Sequence, residues 1–329
     1  MLRRPTDLPR RARPIQALAI VVIASVLGGS VAAEEIEIHA LLWLRPGADR
    51  VASLTTRPTE CSVAPGDADR ARRVELGRIA FRSPVLLGGL ASRLELRCDS
   101  CHQNGRDHPD FFFPEVSGAP GTVDVSANVF SHGRDDGVFN PVSIPDLVGS
   151  AANPPFGTVV PSADLPTFLR AVVEDEFEGE VPPASVAKGL IDYLESLREE
   201  GCPSESIEAA SFERDARELD DIASTLEWAW GRGDRDGSEF VLLSWRAALG
   251  RLHRRFPESI SEREEIVAFS RGLGRIRPLL AEGSESAAAT GALRAARRRQ
   301  AEWLRALEPR AKESFYSAST IAAALGIED

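Results

Sequence analysis

Three stretches in the second half of the chain have the strongest hydrophobic periodicity. Phe212, Ala216, Leu219, Ala223, Leu226 and Trp230 recur in alternating steps of four and three. Leu242, Trp245, Leu249, Leu252 and Phe256 do the same, as do Ile266, Phe269, Leu273, Ile276 and Leu280. Each is the apolar stripe of an amphipathic helix. A Gly- and Asp-rich segment over 231–237 separates the first two. Ser259 with Glu262 fits a capping box at the start of the third, and Pro278 is expected to end or kink it. A fourth helix with a weaker stripe is predicted over about residues 287–307. Four such helices in succession predict an antiparallel bundle over residues 203–329.

The first half has a different pattern. Residues 34–66 form an N-terminal extension, and its alternation over 35–44 predicts a short strand in which His39 is an ordinary side chain. From Asp67 the period turns helical. Asp67 and Asp69 can cap the start, and Val74, Leu76, Ile79, Ala80 and Phe81 form the apolar face. Gly77 lies four residues from Phe81 on the same side, where a second helix could approach closely. Further helices are predicted over 165–173 and 184–197, the latter just after Pro182 and Pro183. The acidic run Glu174, Asp175, Glu176, Glu178 and Glu180 reads as a solvated loop. Residues 103–161 are rich in Gly, Pro, Asp and Asn and lack periodicity. So long an irregular stretch is uncommon in a compact domain, unless a bound group supplies the missing core. Phe111, Phe112, Phe113, Val142, Ile144 and Leu147 are candidates for the wall of such a pocket or for plain core.

Composition and charge narrow the compartment. Hydrophobic residues make up 43%, enough for a proper core in 329 residues. The first 33 residues carry five Arg and one Asp, so the formal charge of −11 becomes −15 without them. An acidic chain argues against nucleic acid and anionic membrane surfaces as partners. Arg3, Arg4, Arg10, Arg11 and Arg13 precede an apolar run over 17–27 and the small residues Val31, Ala32 and Ala33. That is the pattern of a secretory signal peptide, residues 1–33, cleaved after Ala33. The alternative is an uncleaved anchor, for which the apolar run is short. Export implies a periplasmic location and an oxidising compartment.

The candidate chemistry is concentrated in Cys98-Asp99-Ser100-Cys101-His102. C-x-x-C-H is the attachment signature of a c-type haem. Two thiols three residues apart share one side of a helical turn and can add to the two vinyl groups of the porphyrin. The adjacent His102 is then the proximal ligand of the iron. The rival readings are a thioredoxin-like redox pair, which wants a βαβ setting, and half of a zinc site, which wants a second Cys/His pair. Neither is found in the sequence.

The segment Leu76-Gly77-Arg78-Ile79-Ala80-Phe81-Arg82-Ser83-Pro84-Val85-Leu86, followed by Cys98-Asp99-Ser100-Cys101-His102, resembles a haem domain of the bacterial di-haem cytochrome c peroxidases. Leu190-Ile191-Asp192-Tyr193-Leu194-Glu195-Ser196-Leu197 is similar to the closing helix of many cytochrome c domains, which packs on the first. The resemblance covers about residues 67–197 and implies a mainly α chain. A cytochrome c-like haem domain with long loops over 67–202 would be followed by the helical bundle. Those peroxidases hold two haems, whereas this chain has one C-x-x-C-H.

The other axial position of the iron is left open. Met1 is the one methionine and would leave with the leader, so a mature His/Met centre is excluded. His132, in a loop with Gly133 and Gly137 nearby, is the candidate distal residue, with a plain surface histidine as the alternative. His108 is too near His102 to reach the opposite face, and His253, in a basic run, reads as a surface residue. Arg134 could pair a haem propionate or be simply exposed. Cys61 and Cys202 bracket the domain and would either form a disulfide or remain two buried thiols. The expected function is electron transfer by a single covalent haem c with an unidentified redox protein as partner. The alternatives are a peroxidase-like enzyme in which His132 moves the proton, and a haem-dependent sensor whose bundle is the output surface.

Overall fold

The computed structural model describes residues 43–256, 260–282 and 286–327. The expected leader, most of the alternating segment with His39, and Ser259 of the expected capping box lie outside the described residues. Trp43 and Leu44 are described, and Leu44 makes a single antiparallel bridge to Phe111.

The chain is mainly helical. In order it forms α1 (Arg50–Thr55), β1 (Thr56–Pro58), α2 (Ala68–Phe81), α3 (Gly89–Arg93), α4 (Cys98–Cys101), β2 (Thr122–Val123), β3 (Val142–Ser143) and α5 (Leu165–Ala171). Then follow α6 (Ala184–Ser196), β4 (Ile207–Ala209), α7 (Phe212–Gly231), α8 (Arg235–Arg254), α9 (Ile260–Gly274), α10 (Arg277–Ala281), α11 (Ala287–Leu307) and α12 (Ala318–Ala324). The strands form two small antiparallel pairs, β1 with β4 and β2 with β3. The first pair was not foreseen, because three residues are too few for an alternation to show.

The Asp67 side chain accepts from the Arg70 N–H at 2.6 Å, as an N-cap should. Gly77 is where α2 and α6 cross. A Cβ on it would lie 1.9 Å from the Gly189 carbonyl oxygen, so only hydrogen lets the backbones meet. Beside the crossing, Phe81 and Tyr193 pack with ring centroids 5.3 Å apart.

In the second half α7 packs on α8 and α11, and α8 on α9. The third seam is broken: α9 stops at Gly274, and Pro278 sits in the first turn of α10, where its missing N–H costs nothing. One hydrophobic cluster joins Leu76 of α2, Leu190 of α6, Leu226 of α7, Trp245 of α8, Phe269 of α9 and Trp303 of α11. Side chains on both sides of residue 202 therefore fill the same core. At the junction the Ser244 hydroxyl donates to the Ser83 hydroxyl at 2.8 Å, both residues buried.

Candidate functional site

α4 is a single turn, and its flanks hold it. The Arg97 N–H donates to Ser100 Oγ at 3.2 Å and the His102 N–H to the Cys98 carbonyl at 2.8 Å. After His102 the backbone enters the left-handed region at Asn104 (φ 53°) and Gly105 (φ 78°), which turns the chain sharply away. A Cβ on Gly105 would strike Leu197 Cδ1 at 2.6 Å. Asn104 is fully buried and ties the turn down. Its N–H donates to Asp99 Oδ1 at 2.9 Å, and its side-chain amide donates to the Pro58 carbonyl at 2.7 Å. Its Oδ1 accepts from Arg82 at 2.9 Å.

The turn presents Cys98, Cys101 and His102 to one cavity of about 870 Å³. That lies within the range of roughly 300–1,000 Å³ usual for small-molecule and cofactor sites. Most of the wall is apolar and comes from the irregular segment, α5 and α6, including Phe111, Val142, Ile144, Leu147, Leu169 and Leu194. Of the six residues proposed for the wall, four line it. Phe112 and Phe113 do not; Phe113 instead stacks on Trp43 with centroids 4.9 Å apart.

The imidazole of His102 is oriented from outside the motif. Its Nδ1–H donates to the Pro145 carbonyl at 2.9 Å, which leaves Nε2 as the free lone pair. Burial pushes its pKa down to about 4, so the ring is neutral and able to ligate. Both cysteines are free thiols. Burial pushes Cys98 up to about 12 and raises Cys101 as well, so neither is the low-pKa thiolate of a redox-active pair. The arrangement could hold a group that takes two thioether bonds and one imidazole nitrogen.

Of the two placements considered for His132, the structure shows the surface one. Its side chain is 81% exposed. Its Nδ1 lies 3.3 Å from Glu178 Oε1, and its backbone N–H donates to the same oxygen. Its neighbours Ser131, Gly133 and Arg134 line the cavity, while the imidazole is turned outward by Glu178. His108 is buried, with Nδ1 3.0 Å from the Ser100 carbonyl. His253 is half-buried rather than on the surface, and its Nε2 accepts from Arg263 at 3.1 Å.

Two residues of the candidate site carry no mark of it in the expectations above. Pro145 contributes only a carbonyl and gives no signal. Glu176 was read as part of a solvated loop, yet it is 8% exposed and lines the cavity. It ends a π-helical turn, Val172–Glu176, that continues α5. Its Oε2 accepts from Arg134 at 2.7 Å, so Arg134 is paired rather than exposed. Burial, only partly offset by Arg134, pushes Glu176 up to about 7. A signal was present: Leu165, Leu169, Val172 and Glu176 follow one helical face, which marks the carboxylate as inward.

The sulfurs of Cys61 and Cys202 are bonded, closing a separation of 141 residues. Among the described residues no helix is long and apolar enough to cross a membrane. Set against known proteins, the chain has no matching family model, no matching curated sequence and no matching solved structure.

Proposed function

We propose that this chain is an exported mono-haem c-type cytochrome that carries electrons. The supporting observation is the convergence of two free thiols and one neutral, carbonyl-anchored imidazole on a single apolar cavity. Cys98 and Cys101 would form the thioethers, and His102 Nε2 would be the proximal ligand. The haem, when bound, supplies one-electron chemistry. The chain's own residues do the rest. Pro145 fixes the His102 tautomer, Asn104 and Asp99 hold the turn, and Phe111, Ile144 and Leu147 keep water from the site.

The crossing of α2 and α6 at Gly77 and Gly189 supports the likeness to cytochrome c domains, since the motif lies between these two helices in sequence. With the expected leader cleaved after Ala33, the chain would offer the iron no methionine sulfur, and the potential should lie below that of a His/Met centre. The outward turn of His132 gives no support to the reading in which it serves peroxide. The acidic mature chain favours a cationic redox protein as partner.

The test is expression in a bacterial periplasm that attaches haem. The expected product gains the mass of one haem, shows reversible one-electron reduction and does not consume peroxide. Cys98→Ala with Cys101→Ala should abolish the mass gain. A wild-type chain that acquires no covalent haem would overturn the reading, and rapid peroxide turnover would move it to the enzyme.

A further inference from the structure

Glu176 is the one carboxylate among the cavity-lining residues that is itself buried. The π-helical turn places it there. The wider turn, a feature common at functional sites, carries the apolar face of α5 onward to a residue that is not apolar. The side chains of Glu176 and Arg134 are only 10% and 14% exposed, and Arg134 donates to the Glu176 carboxylate at 2.7 Å. The other acids on this wall are differently placed. Glu174 pairs with Arg170 at 2.8 Å, Asp175 is exposed, and Glu178 is half-exposed and occupied by His132.

We infer that Glu176 makes this a proton-coupled electron carrier. The inference rests on the haem reading above. Were a haem held here and reduced by a one-electron protein donor, Glu176 would take one proton from solvent and release it on reoxidation. The electron added to such a group would be balanced by the proton that turns the Glu176 carboxylate into a carboxylic acid, so the charge within the cavity would be unchanged. The physical reason is that a buried carboxylate already strained by desolvation feels an arriving electron as a like charge, which favours its protonated form.

The neighbouring groups leave Glu176 as the group that responds. Arg134, from the loop before it, stays charged throughout. Cys98 and Cys101, from α4, are thioethers once haem is attached and no longer titrate. Arg97, which caps α4, also faces the cavity and stays charged. Because burial holds Glu176 near neutrality, the coupling falls in the neutral range.

The test is the midpoint potential of the haem-loaded protein from about pH 5 to about pH 9, a span set by the ordinary Glu value and the neutral range. In the wild type the potential should fall with rising pH through neutrality, with a slope approaching about 59 mV per pH unit, the one-electron equivalent of a tenfold change. In Glu176→Gln, which keeps the shape and an acceptor for Arg134, that slope should disappear. A redox-difference infrared spectrum should show a carboxylic acid C=O band on reduction that is missing in the variant. A slope that persists in Glu176→Gln would assign the proton to a haem propionate and overturn the inference, while leaving the haem reading intact. A wild-type potential that does not change with pH would also overturn it. Failure to obtain covalent haem would overturn both.

Discussion

Single residues carry large electrostatic weight behind the motif. Glu60 is nearly buried and accepts from the Tyr193 hydroxyl at 2.6 Å and from Arg78 at 3.1 Å, with Arg82 at 3.4 Å. Burial pulls its carboxyl up, but Arg82, Arg78 and Tyr193 more than offset this, and its pKa lies below the ordinary value. Glu60→Gln leaves the buried Arg82 and the half-buried Arg78 undercompensated. It should cost about 3 kcal/mol, at the lower end of what breaking a buried ion pair costs, read from urea unfolding near pH 7. The native value is the depressed one, so this contribution is present above the unfolded value of about 4.3 and is lost as pH falls through the native value. The gap between wild type and variant should therefore narrow on acidification below about pH 4. The same reasoning explains why Arg82 matters to the site. It bonds Glu60 on one side and Asn104 on the other, so it connects the charged cluster to the turn after His102.

At the scale of elements, the crossing of α2 and α6 fixes the frame in which the motif sits. The two helices meet through glycine backbones, and the nearest obstacle to a Gly77 side chain is a carbonyl that cannot rotate away. Gly77→Ala should destabilise by at least about 3 kcal/mol, toward the upper end of overpacking, seen as a lower urea midpoint with the slope unchanged. Gly291→Ala on α11, where a Cβ meets nothing within 4 Å, should instead be neutral to mildly stabilising in the same measurement, because an exposed helical Gly costs about 1 kcal/mol relative to Ala. The helices of the second half were legible because their seams alternate by four and three over five or six residues each. The small strands were not, since β1 and β4 are three residues each and lie about 150 residues apart, a pairing that leaves no local trace.

For the whole molecule, the disulfide and the shared core act together. Cys61 and Cys202 join the start and end of the segment that holds the cavity, and the core runs on from α2 and α6 into α7 and α8. Replacing both cysteines by Ala should lower stability by on the order of 3–5 kcal/mol, as expected for freeing so long a loop in the unfolded chain. The check is a comparison of urea midpoints for oxidised wild type and the double variant. The helices of the second half then have a physical role in holding that segment: Trp245 bonds Gln300 at 2.6 Å among them, and Ser244 anchors α8 to the turn after α2.

The sequence by itself determined the C-x-x-C-H spacing, the amphipathic helices, the Asp67 cap and the room that glycine at position 77 leaves for a second helix. All of these are set by periods and spacings within a few residues. Tertiary structure alone decided that the Pro145 carbonyl orients His102 from 43 residues away, that His132 turns outward to Glu178, and that Glu176 faces inward beside Arg134. Those outcomes depend on which loop backbone is brought against which side chain. An irregular segment such as residues 103–161 has no repeating pattern through which the sequence could announce them.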